Sequence, residues 1–352
     1  MNAVRREDIE LIIQRIPYEC CEGKTFLIAG ANGFIASYMT DTLMYLNEKY
    51  LKNKCTVIAL CRNREKAEKR FAEWVPKKEF ILQIHRVEDN LPDAIRADYI
   101  VHAASYASTK IFTLNPVDIL SANVIGTYNL LEFAKKSHAL KLLFLSSGAV
   151  YGEIGNFQNA VKESDVFPLD FCLAENSYAE GKRCGEAMCC AFLRQYNLPV
   201  SIVRVTHTYG PGIDLRDGHV YSDFVSRIIN AEKLIVKDGG ATRSFCYIVD
   251  AAVALFKVLF EGKAGEVYNM ANVRETFSIY QLAMKLANEA FGERNISVEC
   301  ENKNISTSRT VANIDKLESL GWNASINVIE GFKRTVKSFE EERLKYESER
   351  EN

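Results

Sequence analysis

The feature that most restricts this chain lies near its start. The apolar run Lys24-Thr-Phe-Leu-Ile-Ala-Gly30 stops at a glycine, and Gly30-Ala-Asn-Gly33-Phe-Ile-Ala36 then opens a segment with helical spacing through Ile35, Met39, Leu43 and Leu46. Strand, turn and helix in that order put residues without Cβ where backbone N–H groups can approach a pyrophosphate, and the helix N-terminus adds a favourable dipole. An ordinary Gly-rich turn would share the spacing, but the position after the first strand and before a helix points to dinucleotide binding. Gly30, Asn32, Gly33, Phe34 and Ile35 are the residues set against the cofactor, and Ala36 still permits close packing of helix on strand.

Three further apolar runs come next, Thr56-Val-Ile-Ala-Leu60, Tyr99-Ile-Val-His-Ala-Ala104 and Lys141-Leu-Leu-Phe-Leu-Ser146, with helical stretches between them at Arg64 to Phe71 and Ser121 to Lys136. A long helix from Tyr178 to Tyr196 leads to a fifth buried run, Val200 to Val205. Alternating helices and nearly all-apolar strands predict a parallel sheet covered on both faces, an α/β fold with a Rossmann-type doubly wound parallel sheet. After Tyr209-Gly-Pro-Gly212 the regularity weakens, which marks a smaller C-terminal substrate-binding lobe. The expected division is an N-terminal helix over 1–22, a cofactor domain over 23–208 with return segments at 245–270, a lobe from 209–244 and 271–340, and a charged tail over 341–352. The first segment reads as an amphipathic helix bearing Val4, Ile9, Ile12, Ile13 and Ile16, ended by Pro17.

The 352 residues suffice for about two globular units. Lys and Arg number 44 against 46 Asp and Glu, so the net charge of -2 provides no basic field for nucleic acid or anionic lipid. No apolar run approaches the ~18 residues that span a bilayer. The 10 cysteines sit in a chain far larger than the secreted domains that need disulfide frameworks, and no charged-then-apolar leader precedes the first core strand. They read as free thiols of a cytoplasmic protein, reduced core filler, and none has the spacing of a metal site.

Where the second strand ends, NAD sites carry an acidic residue for the ribose hydroxyls and NADP sites an arginine. Here Leu60-Cys61-Arg62-Asn63-Arg64 has no carboxylate before Glu65. The cofactor is NAD or NADP, and Arg62 and Arg64 tilt the reading to NADP. Further on come Ser146-Ser147-Gly-Ala-Val-Tyr-Gly152 and Ser177-Tyr178-Ala-Glu-Gly-Lys182. Tyr178 and Lys182, four apart, share a helix face. A phenol that titrates near ~10 needs a nearby cation to act as a base at neutral pH, and the ammonium of Lys182 with the nicotinamide ring would provide it. Ser147, at a strand's C-terminal end, can share the substrate oxygen.

The succession of Gly-rich turn, His102-Ala-Ala-Ser105, Asn123-Val-Ile-Gly-Thr-Tyr-Asn-Leu-Leu131, Ser147 to Gly152, Tyr178 to Lys182, Tyr209-Gly-Pro-Gly212 and Arg243-Ser-Phe-Cys-Tyr-Ile-Val-Asp250 resembles the extended short-chain dehydrogenase/reductase family, in particular its nucleotide-sugar epimerases and dehydratases. The likeness runs nearly the whole length, through Tyr268-Asn269 and Leu320-Gly-Trp322. It implies that Tyr178 is the acid/base, that Lys182 holds the ribose and lowers the Tyr178 pKa, and that Ser147 assists. It also implies cofactor contacts at Ala103, Ala104 and the structural Asn123, and substrate contacts at Ser105, Ser147, Arg243 on the diphosphate and Arg309. The substrate is a nucleotide-diphosphate sugar and the assembly a homodimer packed through the helices at Ser121 to Lys136 and Tyr178 to Tyr196. His102, His207 and His219 read as structural.

Such enzymes begin by oxidising the sugar at C4, so it is the fate of the 4-keto sugar that distinguishes one reaction from another. Hexose dehydratases and glucuronate decarboxylases carry carboxylates before Val-Tyr-Gly, where this chain has Gly148 and Ala149, although Tyr178 to Arg183 and Asp217 to Phe224 look close to the decarboxylase branch. A C4 epimerase needs no further acid and is placed first. An NADPH-dependent 4-ketoreductase is second, then a dehydratase or decarboxylase. A protein that senses NADP without turnover is the non-enzymatic alternative, against which the intact Tyr178 and Lys182 argue.

Overall fold

The structure is a computed structural model and describes residues 1–105, 114–155, 157, 159–302 and 311–351, with side chains described to residue 344. Each apolar run becomes a strand because both of its faces are covered. In β1 (Thr25–Ala29), Phe26 and Ile28 enter one core while Leu27 and Ala29 enter another. The same alternation sorts Val57 and Ala59 from Ile58 and Leu60 in β2 (Thr56–Cys61). Next come β3 (Phe80–Ile84), β4 (Tyr99–His102), β5 (Lys141–Ser147) and β6 (Val200–Val205). The short strands of the later chain are β7 (Thr208–Tyr209), β8 (Leu234–Asp238), β9 (Thr242–Ser244), β10 (Cys246–Tyr247), β11 (Val267–Met270), β12 (Thr276–Ser278) and β13 (Val298–Asn302).

Seven of these strands form one parallel sheet in the order β11-β6-β5-β4-β1-β2-β3. The chain reverses its direction of travel between β1 and β4, so a crevice opens there at the strands' C-terminal ends. Helices α1 (Ala3–Ile13), α2 (Phe34–Lys49) and, much later, Ile248–Glu261 pack in the first core layer. Between them in sequence, α3 (Arg64–Arg70) succeeds β2, while α4 (Pro116–Lys136) and α5 (Ser177–Tyr196) cover the second layer with Leu130, Leu131, Cys189 and Phe192. The later chain adds α6 (Val220–Ile229) and three two-stranded ribbons, β7 with β10, β8 with β13 and β9 with β12. A C-terminal helix, Val328–Glu351, is continuous across the point at which a separate tail was expected.

Three elements differ from expectation. β3 was not anticipated: it is an edge strand with only Phe80 fully buried, so its apolar pattern is weak. α4 begins at Pro116 rather than Ser121, because proline suits a first helical position and Asp118 favours the dipole of the first turn. The N-terminal helix ends at Ile13, and Tyr18–Cys21 after Pro17 is a separate 3-10 turn.

Candidate active site

At the end of β1, Gly30 takes φ +76° and lies so close to β4 that a Cβ there would sit 2.8 Å from the Ala104 Cα. Ala103 N–H donates to the Ala29 carbonyl at 3.0 Å, which draws the two strand ends together. Gly33 is the N-cap of α2 and makes no side-chain cap bond, so the first-turn N–H groups of α2 face the crevice unscreened by a capping side chain. Asn32, Gly33, Phe34 and Ile35 are all partly or fully solvent-accessible around this turn. The cradle therefore fits the pyrophosphate of a dinucleotide. At the end of β2, Arg62 and Arg64 are exposed, and Arg64 pairs with Glu68 one helical turn on, at 3.1 Å.

On the other side of the crevice, Asn123 of α4 is fully buried and its Nδ2 donates to Ser105 Oγ and to the Ile119 carbonyl, both at 2.9 Å. Gly181 of α5 allows this contact between helices, since a Cβ there would meet the Asn123 Cβ at 3.0 Å. Ser147 ends β5, where its hydroxyl accepts from Ala149 N–H at 3.2 Å and is hydrogen-bonded to the Tyr178 side chain. Burial raises the Tyr178 pKa, and the Ser147 bond opposes it. One turn further along α5, Lys182 lies 5.9 Å from the Tyr178 ring centre and donates to the Leu145 carbonyl at 2.7 Å.

The pair thus shares a face as expected, but the sign of the tyrosine shift differs from expectation. Without a bound cofactor, burial pushes Tyr178 up and pushes Lys182 down to about 7, with Glu186 working against the latter. Lys182 is 2% exposed, its ammonium on the Leu145 carbonyl and over the Phe144 ring. The site as built can hold an oxygen between Ser147 and Tyr178 and move its proton.

Sequence reasoning missed a network directly behind this pair. Glu186, four residues after Lys182 and on its face, accepts from Ser146 Oγ at 2.5 Å and from Arg204 of β6 at 2.9 and 2.7 Å. Arg204 covers the Tyr151 ring, and Tyr151 donates to Asn269 at 2.6 Å. The i, i+4 spacing from Lys182 was the available signal. His102 is buried, its Nε2 bonded to Thr127 Oγ1 at 2.9 Å, and its pKa lies well below the ordinary range, first through burial and then through Lys182. It is a neutral ring beneath the crevice. Arg243 lies on β9, half-buried, with Nη1 on the Thr242 carbonyl at 2.8 Å. Arg309 lies outside the described residues. The cysteines divide: Cys21, Cys55, Cys61, Cys189 and Cys246 are buried, Cys300 is half-buried against the core, and Cys20, Cys172, Cys184 and Cys190 are exposed, so core filling does not describe the last four. Among the described residues no group of three His, Cys, Asp or Glu is placed to hold a metal ion, and no helix is long and apolar enough to cross a membrane.

A doubly wound sheet that brings a helical Tyr-x-x-x-Lys pair to a strand-end serine, across a crevice from a glycine turn, is the construction of the extended short-chain dehydrogenases/reductases. The family model described as the NAD dependent epimerase/dehydratase family matches residues 26–271, and the chain belongs to that family. It is an NAD(P)-dependent enzyme of the nucleotide-sugar-modifying kind. UDP-glucuronic acid decarboxylase 3 of Arabidopsis thaliana is 32% identical over 318 residues, which cover 89% of this chain and 88% of that protein. UDP-glucuronic acid decarboxylase 1 of Xenopus tropicalis is 32% identical over 323 residues, 91% of this chain and 73% of that one. In fold, the chain is similar to the UDP-N-acetylglucosamine 4-epimerase of Methanobrevibacter ruminantium (TM-score 0.78, 23% identity, 91% of this chain and 99% of that one). It is also similar to the UDP-glucose 4-epimerase of Thermotoga maritima (TM-score 0.75, 24% identity, 91% and 99%).

Proposed function

We propose that the protein oxidises and then re-reduces C4 of a nucleotide-diphosphate sugar, and that its overall reaction is the decarboxylation of a UDP-uronate. The observation that carries the C4 chemistry is the hydrogen bond between Ser147 and Tyr178 at the end of β5, with Lys182 one turn below. A bound nicotinamide dinucleotide supplies the hydride acceptor and donor. Tyr178 takes the proton from the C4 hydroxyl and returns it, Ser147 holds the same oxygen, and Lys182 supports the phenolate and binds the ribose. Gly30, Asn32, Gly33, Phe34, Ile35, Ala103, Ala104 and Asn123 seat the cofactor, while Ser105 and Arg243 face the substrate. Arg62, with Arg64 behind it, favours NADP over NAD.

The uronate reading is supported by the relatives at 32% identity, which are named for decarboxylation of UDP-glucuronic acid, and we prefer it to C4 epimerisation. Chemistry sets decarboxylation ahead of dehydration at this site. Once C4 is a carbonyl, a carboxylate on C5 stands β to it and leaves as CO2, its bonding electrons flowing into the carbonyl without help from a side-chain base; the enolate so formed takes a proton at C5 from water before hydride returns to C4. A 4,6-dehydration instead needs a base for the C5 proton and an acid for the C6 hydroxyl, and Gly148 and Ala149 offer neither. The same two residues favour a second reading, C4 epimerase or 4-ketoreductase, because neither needs a group beyond Ser147, Tyr178 and Lys182.

The test is incubation with UDP-glucuronate, UDP-glucose and UDP-galactose, with the products read by NMR. Release of CO2 with formation of a UDP-pentose is the expected result. Inversion at C4 without loss of carbon would replace decarboxylase by epimerase, and stoichiometric NADPH consumption with a 4-keto sugar would replace it by reductase. A homodimer through α4 and α5 and a cytoplasmic location, in keeping with ten free cysteines, complete the proposal.

A further inference from the structure

Helix α1 lies before residues 26–271, the span that the family model matches, yet one of its side chains reaches the glycine turn of the cofactor cradle. Arg5 stands in the first turn of α1 and is only 7% exposed. Its N–H donates to Asn2 Oδ1 at 2.9 Å, and Asn2 Nδ2 donates to Ser338 Oγ at 2.6 Å and Glu342 Oε1 at 2.9 Å on the C-terminal helix, so the start of α1 is fixed from two sides. From there the guanidinium spreads along α2. Nη2 donates to Ser37 Oγ at 2.9 Å, and that hydroxyl donates to the Phe34 carbonyl at 2.8 Å. Nε donates to Asp41 Oδ2 at 2.6 Å, one turn further on. Cζ lies 3.8 Å over the centre of the Tyr38 ring, which meets the Phe34 ring edge-on with centres 6.2 Å apart. Phe34, the first residue of α2, is therefore held through both its carbonyl and its ring.

The same guanidinium also meets the loop that follows β6 and β7 at the C-terminal edge of the sheet. Nη1 reaches the Pro211 carbonyl at 3.5 Å, a long contact, and a Cβ on Gly212, which has φ +91°, would come within 3.2 Å of Nη1. One side chain thus touches the helix whose first N–H groups face the crevice and a loop nearly two hundred residues away in sequence. The charge left over has the sign that a pyrophosphate needs. Arg5 and Arg70 share the single carboxylate of Asp41, while Asp8, the next carboxylate on α1, is taken by Arg334 at 2.9 and 2.7 Å. Glu7, a second partner of Arg334 at 3.2 Å, is exposed, where water screens it. One positive charge therefore remains behind the first turn of α2, where it adds to the helix dipole.

We propose that Arg5 is a positioning residue of the dinucleotide site: by holding the first turn of α2 and the Gly210–Gly212 loop in one arrangement it keeps the cradle in its binding geometry, so that α1 contributes to cofactor affinity as well as to stability. The inference rests on the dinucleotide reading of the cradle. A turn that is already ordered before the cofactor arrives does not have to be ordered at the moment of binding, and that saving appears as affinity.

The experiment is titration calorimetry of the full chain with NADH, NADPH and UDP, at a temperature where thermal melts show each variant to be folded. Arg5→Met is expected to bind the preferred dinucleotide at least about tenfold more weakly than the native protein and to keep UDP affinity within about twofold. A merely structural arginine would lower the melting temperature and leave dinucleotide affinity of the folded protein unchanged, and that result overturns the proposal. An equal loss for UDP overturns it too, since the effect would then not belong to the cradle. If Arg5→Met fails to fold, Ser37→Ala breaks the link from Arg5 to Phe34 within an intact helix. Dinucleotide binding at least about threefold weaker, with UDP unaffected, is expected there, and native affinity counts against the proposal. A native protein that binds neither dinucleotide removes the cofactor reading and the proposal with it, whereas native binding that survives in the variants removes the role of Arg5 alone.

Discussion

Lys182 shows how a single residue couples chemistry to stability. Its amine has left water for the Leu145 carbonyl and the face of Phe144, whose ring centre is 4.9 Å away. Burial lowers its pKa to about 7, with Glu186 and Cys189 opposing, while an unfolded lysine titrates near ~10.4. Between those values the unfolded chain binds more protons, so stability rises with pH through that window, and below about 7 the burial penalty, on the order of a few kcal/mol, is felt in full. Lys182→Met should therefore gain stability relative to the native protein as pH falls from 10 to 6, read as the difference in melting temperature across that range. A difference that stays flat with pH would contradict the shift. Tyr178→Phe is expected to lower turnover by about 10²–10⁴-fold while melting temperature and dinucleotide binding hold. Activity that survives the change would remove Tyr178 from the mechanism. The i, i+4 spacing of this pair was legible in the sequence; the direction of the tyrosine shift was not, since burial is a property of the packed site.

At the scale of elements, α1 is anchored by buried ions rather than by its apolar face alone. Asp41 of α2 is fully buried and accepts from Arg5 Nε at 2.6 Å, from Trp74 Nε1 at 2.8 Å and from Arg70. Arg5 also lies 3.8 Å over the Tyr38 ring and donates to Ser37 Oγ at 2.9 Å. A turn along α1, Asp8 accepts from Tyr38, Tyr247 and Arg334, tying the helix to the end of β10 and to the C-terminal helix. Burial alone would raise Asp41, but Arg70 and Arg5 hold its pKa below the usual carboxylate value. Its contribution is therefore complete above about pH 4 and is lost as pH falls through the lowered pKa. Asp41→Ala leaves the buried Arg5 guanidinium and the half-buried Arg70 guanidinium without the carboxylate between them and should cost roughly 3–5 kcal/mol in urea unfolding. Arg5→Ala leaves Asp41 with Arg70 and Trp74 and should cost clearly less. The reverse order would show that the helix is held by packing instead. The apolar spacing of Val4, Ile9, Ile12, Ile13 and Ile16 announced the helix, whereas nothing in its sequence paired Arg5 with a carboxylate 36 residues away.

At the scale of the molecule, α4 leaves Val117, Leu120, Ile125 and Tyr128 exposed at 72%, 37%, 49% and 50%. That is a continuous apolar stripe beside α5 on the sheet's outer face. If a second copy covers it, light scattering should give about 80 kDa, twice the 39.8 kDa of one chain, and Ile125→Arg should halve that mass without unfolding the protein. A native mass of one chain would remove the dimer from the proposal. The parallel sense of the central strands was foreseeable from the alternation of buried runs and helices, because parallel neighbours need crossovers of that length. β3 escaped notice because an edge strand buries little, and a short half-covered run carries no clear period.

By itself the sequence determined what depends on neighbours along the chain: the glycine turn between strand and helix, the buried strands of a parallel sheet, and the shared helix face of Tyr178 and Lys182. These are short-range relations, expressed wherever the local backbone forms. Only the tertiary structure decided which distant groups meet and how dry their meeting place is. It set Ser147 against Tyr178, brought Arg5 to Ser37 and Asp41 behind the glycine turn, and put Glu186 and Arg204 behind the catalytic pair. It also set the charge states, because a pKa answers to desolvation and to charges that the chain brings close only when it folds.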